Sequence, residues 1–297
     1  MRPQTITSTG EIGMQLGYGR TAEVFAWSAD WVVKLFYPMH PLAWIEQEAA
    51  IAAQVFDATG ESNEFRTPQV GEIVTAAGRY GLLYQRTEGK PLTHLLDRSS
   101  PASINAMGAR LAELHFAIHR IRYEAGTEGS SLPSQRAGLQ ACVARASSLP
   151  VNVRDAAIHS LTLLDSELRD DSLCHGDFHP LNVLVDGQGR PVVIDWWGAE
   201  RGSALADFAR TLILLEFGRV SDERGITPAE QAVRMKLRDA YLERYVELAA
   251  WPVTDDLLRQ WTLLAVAARL HNGIGNAERG SLLVYVEQLL KEKMGND

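Results

Sequence analysis

Asp177 and Asn182 stand five residues apart in the segment LCHGDFHPLNVLVDGQGRPVVIDW, and Asp195 closes the apolar run Val192-Val193-Ile194. Asn182 and Asp195 offer oxygen atoms, the donors that a hard cation such as Mg²⁺ prefers. Asp177 adds a carboxylate able to accept or orient the proton of an attacking hydroxyl, in line with a phosphorus atom. Together the three suit phosphoryl transfer. Asp and Asn are also ordinary turn formers, and any one of them alone would mean little. His175 and His179 lie four apart, but Gly176 and Pro180 argue against a helix that would turn both imidazoles to one metal. Each reads instead as a buried, hydrogen-bonded loop histidine.

The same spacing, H-x-D-x-x-x-x-N followed by a strand ending in Asp, is that of the protein-kinase catalytic loop and its metal-binding aspartate. A second constellation lies near the start, where Gly17-Tyr18-Gly19-Arg20-Thr21-Ala22-Glu23-Val24 fits G-x-G-x-x-G-x-V with Ala22 in the third glycine's place. It falls between two expected strands, which excludes a dinucleotide fingerprint. Gly17, Gly19 and Thr21 are the candidate phosphate contacts, because glycines let the backbone approach a triphosphate closely. Lys34, in Trp31-Val32-Val33-Lys34-Leu35-Phe36, matches the strand lysine that pairs with the α- and β-phosphates. In isolation it would read equally well as an edge or snorkelling lysine. On the following helix Ile45, Glu48, Ala52 and Val55 share a stripe, whereas Glu46 falls with Ala50 and Ala53. Glu48 is therefore the expected ion-pair partner. The strand Tyr80-Gly81-Leu82-Leu83-Tyr84-Gln85 then leads to the place where a nucleotide base would rest, against backbone groups around Gln85 to Thr87. Nothing there separates ATP from GTP.

The elements that must hold these residues are legible in outline. Residues 11–16, 21–27 and 31–37 read as three antiparallel strands, 42–56 as a helix opened by Pro41, and 69–74 and 79–85 as two further strands. Helical patterns cover 104–119, 134–147 and 153–168, a strand-turn-strand unit covers 183–195, and helices resume to the end. The stretch 125–133 is the most loop-like. The class is α+β: a small antiparallel β-rich N-terminal lobe with one helix, residues 1–87, for the nucleotide, and a larger, mostly helical lobe, residues 88–297, for catalysis and the acceptor.

A chain of 297 residues can bury a sizeable core. No apolar run approaches the length of a membrane span, and the polar start lacks the pattern of a signal or transit peptide, so a cytoplasmic location is the expectation. Cys142 and Cys174 sit in no metal-ligand or C-x-x-C spacing and read as two reduced, buried thiols. A net charge of −8 disfavours nucleic acid and is weakly compatible with a cationic ligand. Neither a membrane nor a protein partner is expected.

These residues resemble the aminoglycoside phosphotransferase and choline-kinase-like family, whose members share the protein-kinase fold. The resemblance rests on HGDFHPLNVL, on VVIDWWGAERGSALADFAR and on LAELH at Leu111 to His115, and it covers most of the chain. It implies ATP or GTP as co-substrate, Mg²⁺ as cofactor, Asp177 as catalytic base, and Asn182 and Asp195 as metal ligands. It further implies that Asp207 braces the catalytic loop, with His175 as a supporting residue in it. Leu181, where many members have a small residue, and Ala22 depart from the pattern without removing a catalytic group. The short interval from Asp195 to Asp207, without an A-P-E signature, leaves little room for a peptide-binding segment and favours a small acceptor.

The acceptor is expected in the C-terminal lobe, where Glu200, Glu216, Glu243, Glu247, Asp255, Asp256, His271 and Glu278 are candidates. Acids there suit an amine-rich acceptor such as an aminoglycoside, though a solvated helix face explains them as well. Trp196, Trp197 and Trp261 could wall a cage for a quaternary ammonium such as choline, or be core. The leading expectation is a small-molecule O-kinase. Its acceptor is an aminoglycoside, or else choline, a sugar or an amino alcohol. The rivals are a catalytically silent nucleotide-binding or scaffold protein of the same fold and a reduced protein kinase.

Overall fold

A computed structural model of the chain describes residues 12–60, 62–123, 132–145, 149–164, 171–219, 225–249, 253–271 and 274–294. In chain order its elements begin with strands β1 (Gln15–Tyr18), β2 (Ala22–Ala26) and β3 (Trp31–Phe36), helix α1 (Leu42–Thr59), and strands β4 (Val70–Ala76), β5 (Arg79–Gln85) and β6 (Lys90–Pro91). Helices α2 (Pro101–His119), α3 (Gln135–Arg145) and α4 (Val151–Leu164) follow, then strands β7 (Ser172–Cys174), β8 (Val183–Val185), β9 (Pro191–Val193) and β10 (Glu200–Gly202). Helices α5 (Ala204–Phe217), α6 (Pro228–Leu248), α7 (Asp255–His271) and α8 (Asn276–Met294) complete the order. The α+β class is the expected one.

By internal contacts the chain forms two units. Among the described residues, the first comprises those up to His94 together with Leu181–Gly198, and the second comprises those from Leu95 to Pro180 and from Ala199 onward. Compactness thus assigns the β8–β9 hairpin to the N-terminal unit, where a single cut at 87/88 would place it with the helices. The cut itself remains a proposal about functional lobes.

In the first unit, β1 to β5 form an antiparallel sheet in the order β1-β2-β3-β5-β4. The first strand lies later than expected, since a register shift between Gln15 and Gly17 carries its pairing on to Tyr18 opposite Glu23. Gly81 in β5 is required by packing, because a Cβ there would stand 2.5 Å from Val33 Cγ2. The β4–β5 turn places Ala77 at φ 48° and Gly78 at φ 71°, the pair of positive values that a two-residue hairpin of this twist needs. Helix α1 starts after Pro41 in extended conformation and buries Ile45, Glu48, Ala49, Ile51, Ala52 and Val55. It runs to Thr59 rather than 56, and the Thr59 hydroxyl donates back to Val55 O at 2.8 Å. Ile45 and Ala49 pack with Ala22, Phe36, Ile73 and Leu82. Ala22 therefore fills core space, which accounts for a side chain at the third glycine position. In the same unit β6, β8 and β9 form a three-stranded sheet.

In the second unit, α2 opens with Ser100 accepting from Ser103 N and Pro101 in the first turn, and α6 opens with a Thr227/Glu230 capping box. The two helices approach closely where Gly108 faces α6, since a Cβ there would lie 2.6 Å from Leu237 O. Helix α7 is buried from Trp261 through Leu270, a stretch that is apolar apart from Thr262 and Arg269. Strands β7 and β10 pair antiparallel, with Glu200 opposite Cys174. Helices α3 and α4 occupy Gln135–Arg145 and Val151–Leu164, and the rest of the expected 153–168 pattern lies outside the described residues. The expected loop at 125–133 lies almost wholly outside them too. Of the two thiols, Cys174 is buried but Cys142 is only half-buried. No helix among the described residues is long and apolar enough to cross a membrane.

Candidate active site

Lys34 projects from β3, where it stands opposite Val24 of β2 and Leu82 of β5. Its Nζ lies 2.7 Å from Glu48 Oε1 and 2.9 Å from Asp195 Oδ1. Glu48 is 3 % exposed, and it also accepts a hydrogen bond of 2.8 Å from the Tyr84 hydroxyl. Glu46, one turn-face away, is exposed. Burial opposes the charge on Lys34, but the carboxylates of Asp195 and Glu48 outweigh it and raise the lysine's pKa above its ordinary value. The lysine is fully charged at neutral pH.

The β8–β9 hairpin places Asn182 and Asp195 at its open end. Val183 pairs with Val193, and Ile194 N–H donates to Asn182 O at 2.9 Å, so the residues that flank the paired strands are neighbours across the hairpin mouth. Its turn is built by Asp186, whose Oδ1 accepts the N–H groups of Gln188 and Arg190, each at 2.9 Å. Asp195 itself sits at φ 61°. That left-handed conformation is one Asp tolerates better than most side chains, and it re-aims the chain where the strand ends. Two oxygen-bearing side chains at one hairpin mouth, with a charged lysine on one of them, form a donor set that fits a hard divalent cation.

Asp177 lies in the other unit, in the loop that follows β7. Its N–H donates to His175 Nδ1 at 3.2 Å, and its Oδ2 lies 3.6 Å from His179 Nε2. Burial would push its carboxyl up, but His179, then Arg210 and His175, hold it well below the usual carboxylate range. An ionised Asp177 is suited to accept a hydrogen bond from a hydroxyl and to orient it. His175 is fully buried, whereas His179 is partly exposed beside Asp177, which corrects the expectation that both are buried.

Behind the loop stands Asp207, fully buried in the first turn of α5. Its Oδ2 accepts the His175 N–H at 2.6 Å and its Oδ1 the Gly176 N–H at 3.0 Å. Gly176, at φ 75°, takes a left-handed step directly after these two N–H groups and redirects the chain into Asp177. His115 Nε2 and His119 Nε2, from α2, donate to the same Oδ2 at 3.0 and 3.3 Å. Their Nδ1 atoms accept from the hydroxyls of Tyr241 at 2.6 Å and Tyr245 at 2.5 Å, both on α6. The sequence reading missed His119, Tyr241 and Tyr245. The signal was there in spacing, since His115/His119 and Tyr241/Tyr245 are both four-residue pairs on helices.

The glycine hairpin joins β1 to β2. Gly19 N–H donates to Ala22 O at 2.8 Å within the hairpin, and Thr21 O accepts from Tyr37 N–H at 3.0 Å just past β3, so those groups are engaged. A Cβ would meet nothing within 4 Å at Gly17 and only Ala22 O, at 3.9 Å, at Gly19. The protein's own packing thus requires glycine at neither. Gln85 and Arg86 offer no spare N–H to a base, since these donate to Gln69 O and Asp30 O, each at 2.8 Å. The expected contacts narrow to the carbonyls and to Thr87.

Of the candidate acceptor acids, Glu278 is 2 % exposed and paired with Arg269 at 2.6 Å, and Glu216 is paired with Arg238. Both are structural ion pairs. Glu243, Glu247, Asp255 and Asp256 are exposed, and Glu200 is half-buried. Burial pushes the Glu200 carboxyl up to about 7, against the nearby Arg210 and helped by Asp207. Trp196 and Trp261 are buried, the Trp196 indole N–H donating to Val193 O at 3.0 Å, so neither can wall an open cage. Trp197 packs against Trp44 with the rings tilted and their centroids 4.7 Å apart.

A lysine–glutamate pair against the aspartate of a strand-turn-strand unit, with a braced HGD loop, defines a phosphotransferase of the protein-kinase-like fold. The sequence bears this out, for residues 15–257 match the phosphotransferase enzyme family, and the chain belongs to it. No curated protein matches the chain. Among solved structures, a thermostable mutant of the aminoglycoside phosphotransferase APH(4)-Ia, in ternary complex with ADP and hygromycin B, is similar with a TM-score of 0.63 and 19% identity. The match covers 96% of this chain and 94% of that one. The choline kinase LicA from Streptococcus pneumoniae is similar with a TM-score of 0.59 and 14% identity, over 95% of this chain and 93% of that one. The GDP complex of a mutant aminoglycoside 2'-phosphotransferase-IIIa has a TM-score of 0.58 and 16% identity, over 97% and 94%.

Proposed function

We propose that the protein is a Mg²⁺-dependent kinase that moves the γ-phosphoryl group of ATP or GTP onto a hydroxyl of a small molecule. The observation that carries this is Lys34, charged and bound to both Glu48 and Asp195. A buried acid that fixes a strand lysine beside a metal-type aspartate is costly to the fold and has its use in holding phosphates. Family membership, and the nucleotide-bound states of similar structures, support the same reading. The two hairpin glycines that internal packing does not require leave room for a triphosphate to approach the backbone.

In this mechanism Asp177 accepts the hydrogen bond of the acceptor hydroxyl and orients its oxygen toward phosphorus. The new P–O bond forms as the bond to the β-phosphate oxygen breaks, and the nucleoside diphosphate departs. The hydroxyl proton passes to Asp177 as the P–O bond forms, because a carboxylate of such low basicity takes it late. Lys34 neutralises charge on the non-transferred phosphates. Asn182 and Asp195 would hold Mg²⁺, which when bound shields the phosphate oxygens.

The acceptor class follows the similar structures, with an aminoglycoside first and choline or another amino alcohol second. A silent scaffold would have no need to keep Lys34, Asp177, Asn182 and Asp195 together. The test is Mg²⁺-dependent ADP and GDP formation from ATP and GTP over a panel of aminoglycosides, choline, sugars and amino alcohols, with Asp177→Asn alongside. Acceptor-stimulated turnover abolished by Asp177→Asn is the expected result. Absence of any Mg²⁺–nucleotide binding would overturn the proposal.

A further inference from the structure

We propose that His119 and Tyr245 are positioning residues for the phosphoryl transfer, acting through Asp207 on the backbone of the HGD loop; the proposal rests on the kinase reading above. Asp207 carries the loop on one carboxylate. Its two oxygens accept the consecutive N–H groups of His175 and Gly176, immediately before Asp177. Any rotation of that carboxylate would swing the backbone that leads into Asp177.

Two side arms resist the rotation. In the first, Tyr241 donates to His115 and His115 donates to Asp207; in the second, Tyr245 donates to His119 and His119 donates to Asp207. The hydroxyl at each Nδ1 fixes the tautomer that puts a proton on Nε2, facing an oxygen that can only accept. Burial pushes His115 down to about 3, with His119 beside it adding to the effect against Asp207, so this arm is a neutral imidazole. Burial likewise raises both tyrosines well above their ordinary values, which keeps their hydroxyl protons in place. The aromatic packing is as tight as the hydrogen bonding. His115 stacks on Phe178 of the loop at 4.3 Å, and Tyr245 stacks on Phe208 of α5 at 4.1 Å.

His115, His119 and Asp207 are also spaced as a metal triad. The network assigned here places a proton on each Nε2, where a metal would require a lone pair. The two readings make opposite predictions about the isolated protein.

The experiment uses the full chain with Tyr245→Phe, His119→Gln, His119→Ala and the Tyr245→Phe/His119→Gln double variant. Amide hydrogen exchange in the peptide spanning His175 to Asp177 is measured beside kcat and nucleotide KM for the acceptor found above. Tyr245→Phe and His119→Gln each speed exchange of the loop amides and lower kcat by about tenfold, the equivalent of one well-placed hydrogen bond. Nucleotide KM stays within about twofold, and the β1–β5 sheet amides do not change. His119→Ala loses about tenfold more than His119→Gln, whose amide can still donate to Asp207, and the double variant is less than additive because both residues act on one bond. Unchanged loop exchange with unchanged kcat in Tyr245→Phe and His119→Ala would overturn the proposal. So would one equivalent of tightly held transition metal in the native protein that His119→Ala releases. If the native protein turns over no acceptor, the exchange data still decide the role of the network, and the failure belongs to the kinase reading alone.

Discussion

Lys34 Nζ and Asp195 Oδ1 stand 2.9 Å apart although 161 residues separate them in the chain, and the same ammonium is 2.7 Å from Glu48. The two contacts differ in kind. The Glu48 side chain is 4% exposed and that of Asp195 43%, so the first is a buried pair and the second is open to solvent and screening. Glu48 thus anchors the lysine from within the core, while Asp195 meets it from the solvent side.

Removing the lysine separates anchoring from chemistry. Lys34→Met leaves the Glu48 charge buried with only the Tyr84 hydroxyl, and stability falls by about 3 kcal/mol, the usual cost of orphaning one member of a buried pair. Lys34→Met/Glu48→Gln recovers most of that loss, and neither variant turns over nucleotide. Because the folded pKa of Lys34 is raised, the pair's contribution is fully present below pH 10.5 and is lost only as pH rises through the folded value. Urea unfolding at pH 7 with a parallel turnover assay checks both halves.

At Asp195 the backbone and the side chain can be tested apart. Asp195→Asn keeps a residue that accepts φ 61° and gives up one screened ion pair, so it unfolds within about 1 kcal/mol of the parent. Asp195→Ala is less stable than Asp195→Asn by about 1 kcal/mol, the cost of the left-handed conformation. Both lose Mg²⁺-dependent nucleotide binding. Thermal unfolding and a Mg²⁺ titration of nucleotide affinity read the two effects separately.

The β4–β5 turn offers a gain. Ala77 holds φ 48° at the first position of a turn whose second residue is Gly78, and Asn-Gly is the pair that such turns favour. Ala77→Asn raises stability by about 0.5–1 kcal/mol, seen as a higher thermal midpoint with unchanged activity.

How much of this was legible follows the range of each signal. Strand alternation broken by glycine marked β2, β3 and β5 nearly to the residue, and helical periodicity set Glu48 apart from Glu46, because these are local patterns. Asp207 and the HGD loop were legible as motifs, but the arms behind them were not. His115 meets Tyr241, and His119 meets Tyr245, across 126 residues, and each tyrosine alone reads as core. Glu278 shows the opposite failure: in sequence it is one acid among many, and only packing reveals that it is buried against Arg269. The assignment of Leu181–Gly198 to the first unit was equally hidden, because compactness is a property of contacts and not of chain order.

Glu200 carries a pH dependence of the same sign as that of Lys34, since both hold their proton more tightly in the folded state, but it falls in the acid-to-neutral range. Its carboxyl is pushed up to about 7 from 4.5 by burial, and Arg210 only partly offsets this. Between these values the folded state binds the proton more tightly than the unfolded chain, so stability falls as pH rises from about 4.5 to about 7 and the penalty is complete above that. The shift corresponds to about 3 kcal/mol at pH 8. Glu200→Gln removes the ionisable group while keeping its shape, so the variant matches the parent at pH 4.5 and is more stable by up to about 3 kcal/mol at pH 8. Denaturant midpoints at the two pH values measure this directly. An equal effect of the substitution at both would mean that Glu200 ionises as freely in the folded protein as in the unfolded chain, and that the charge of Arg210 cancels the cost of its burial.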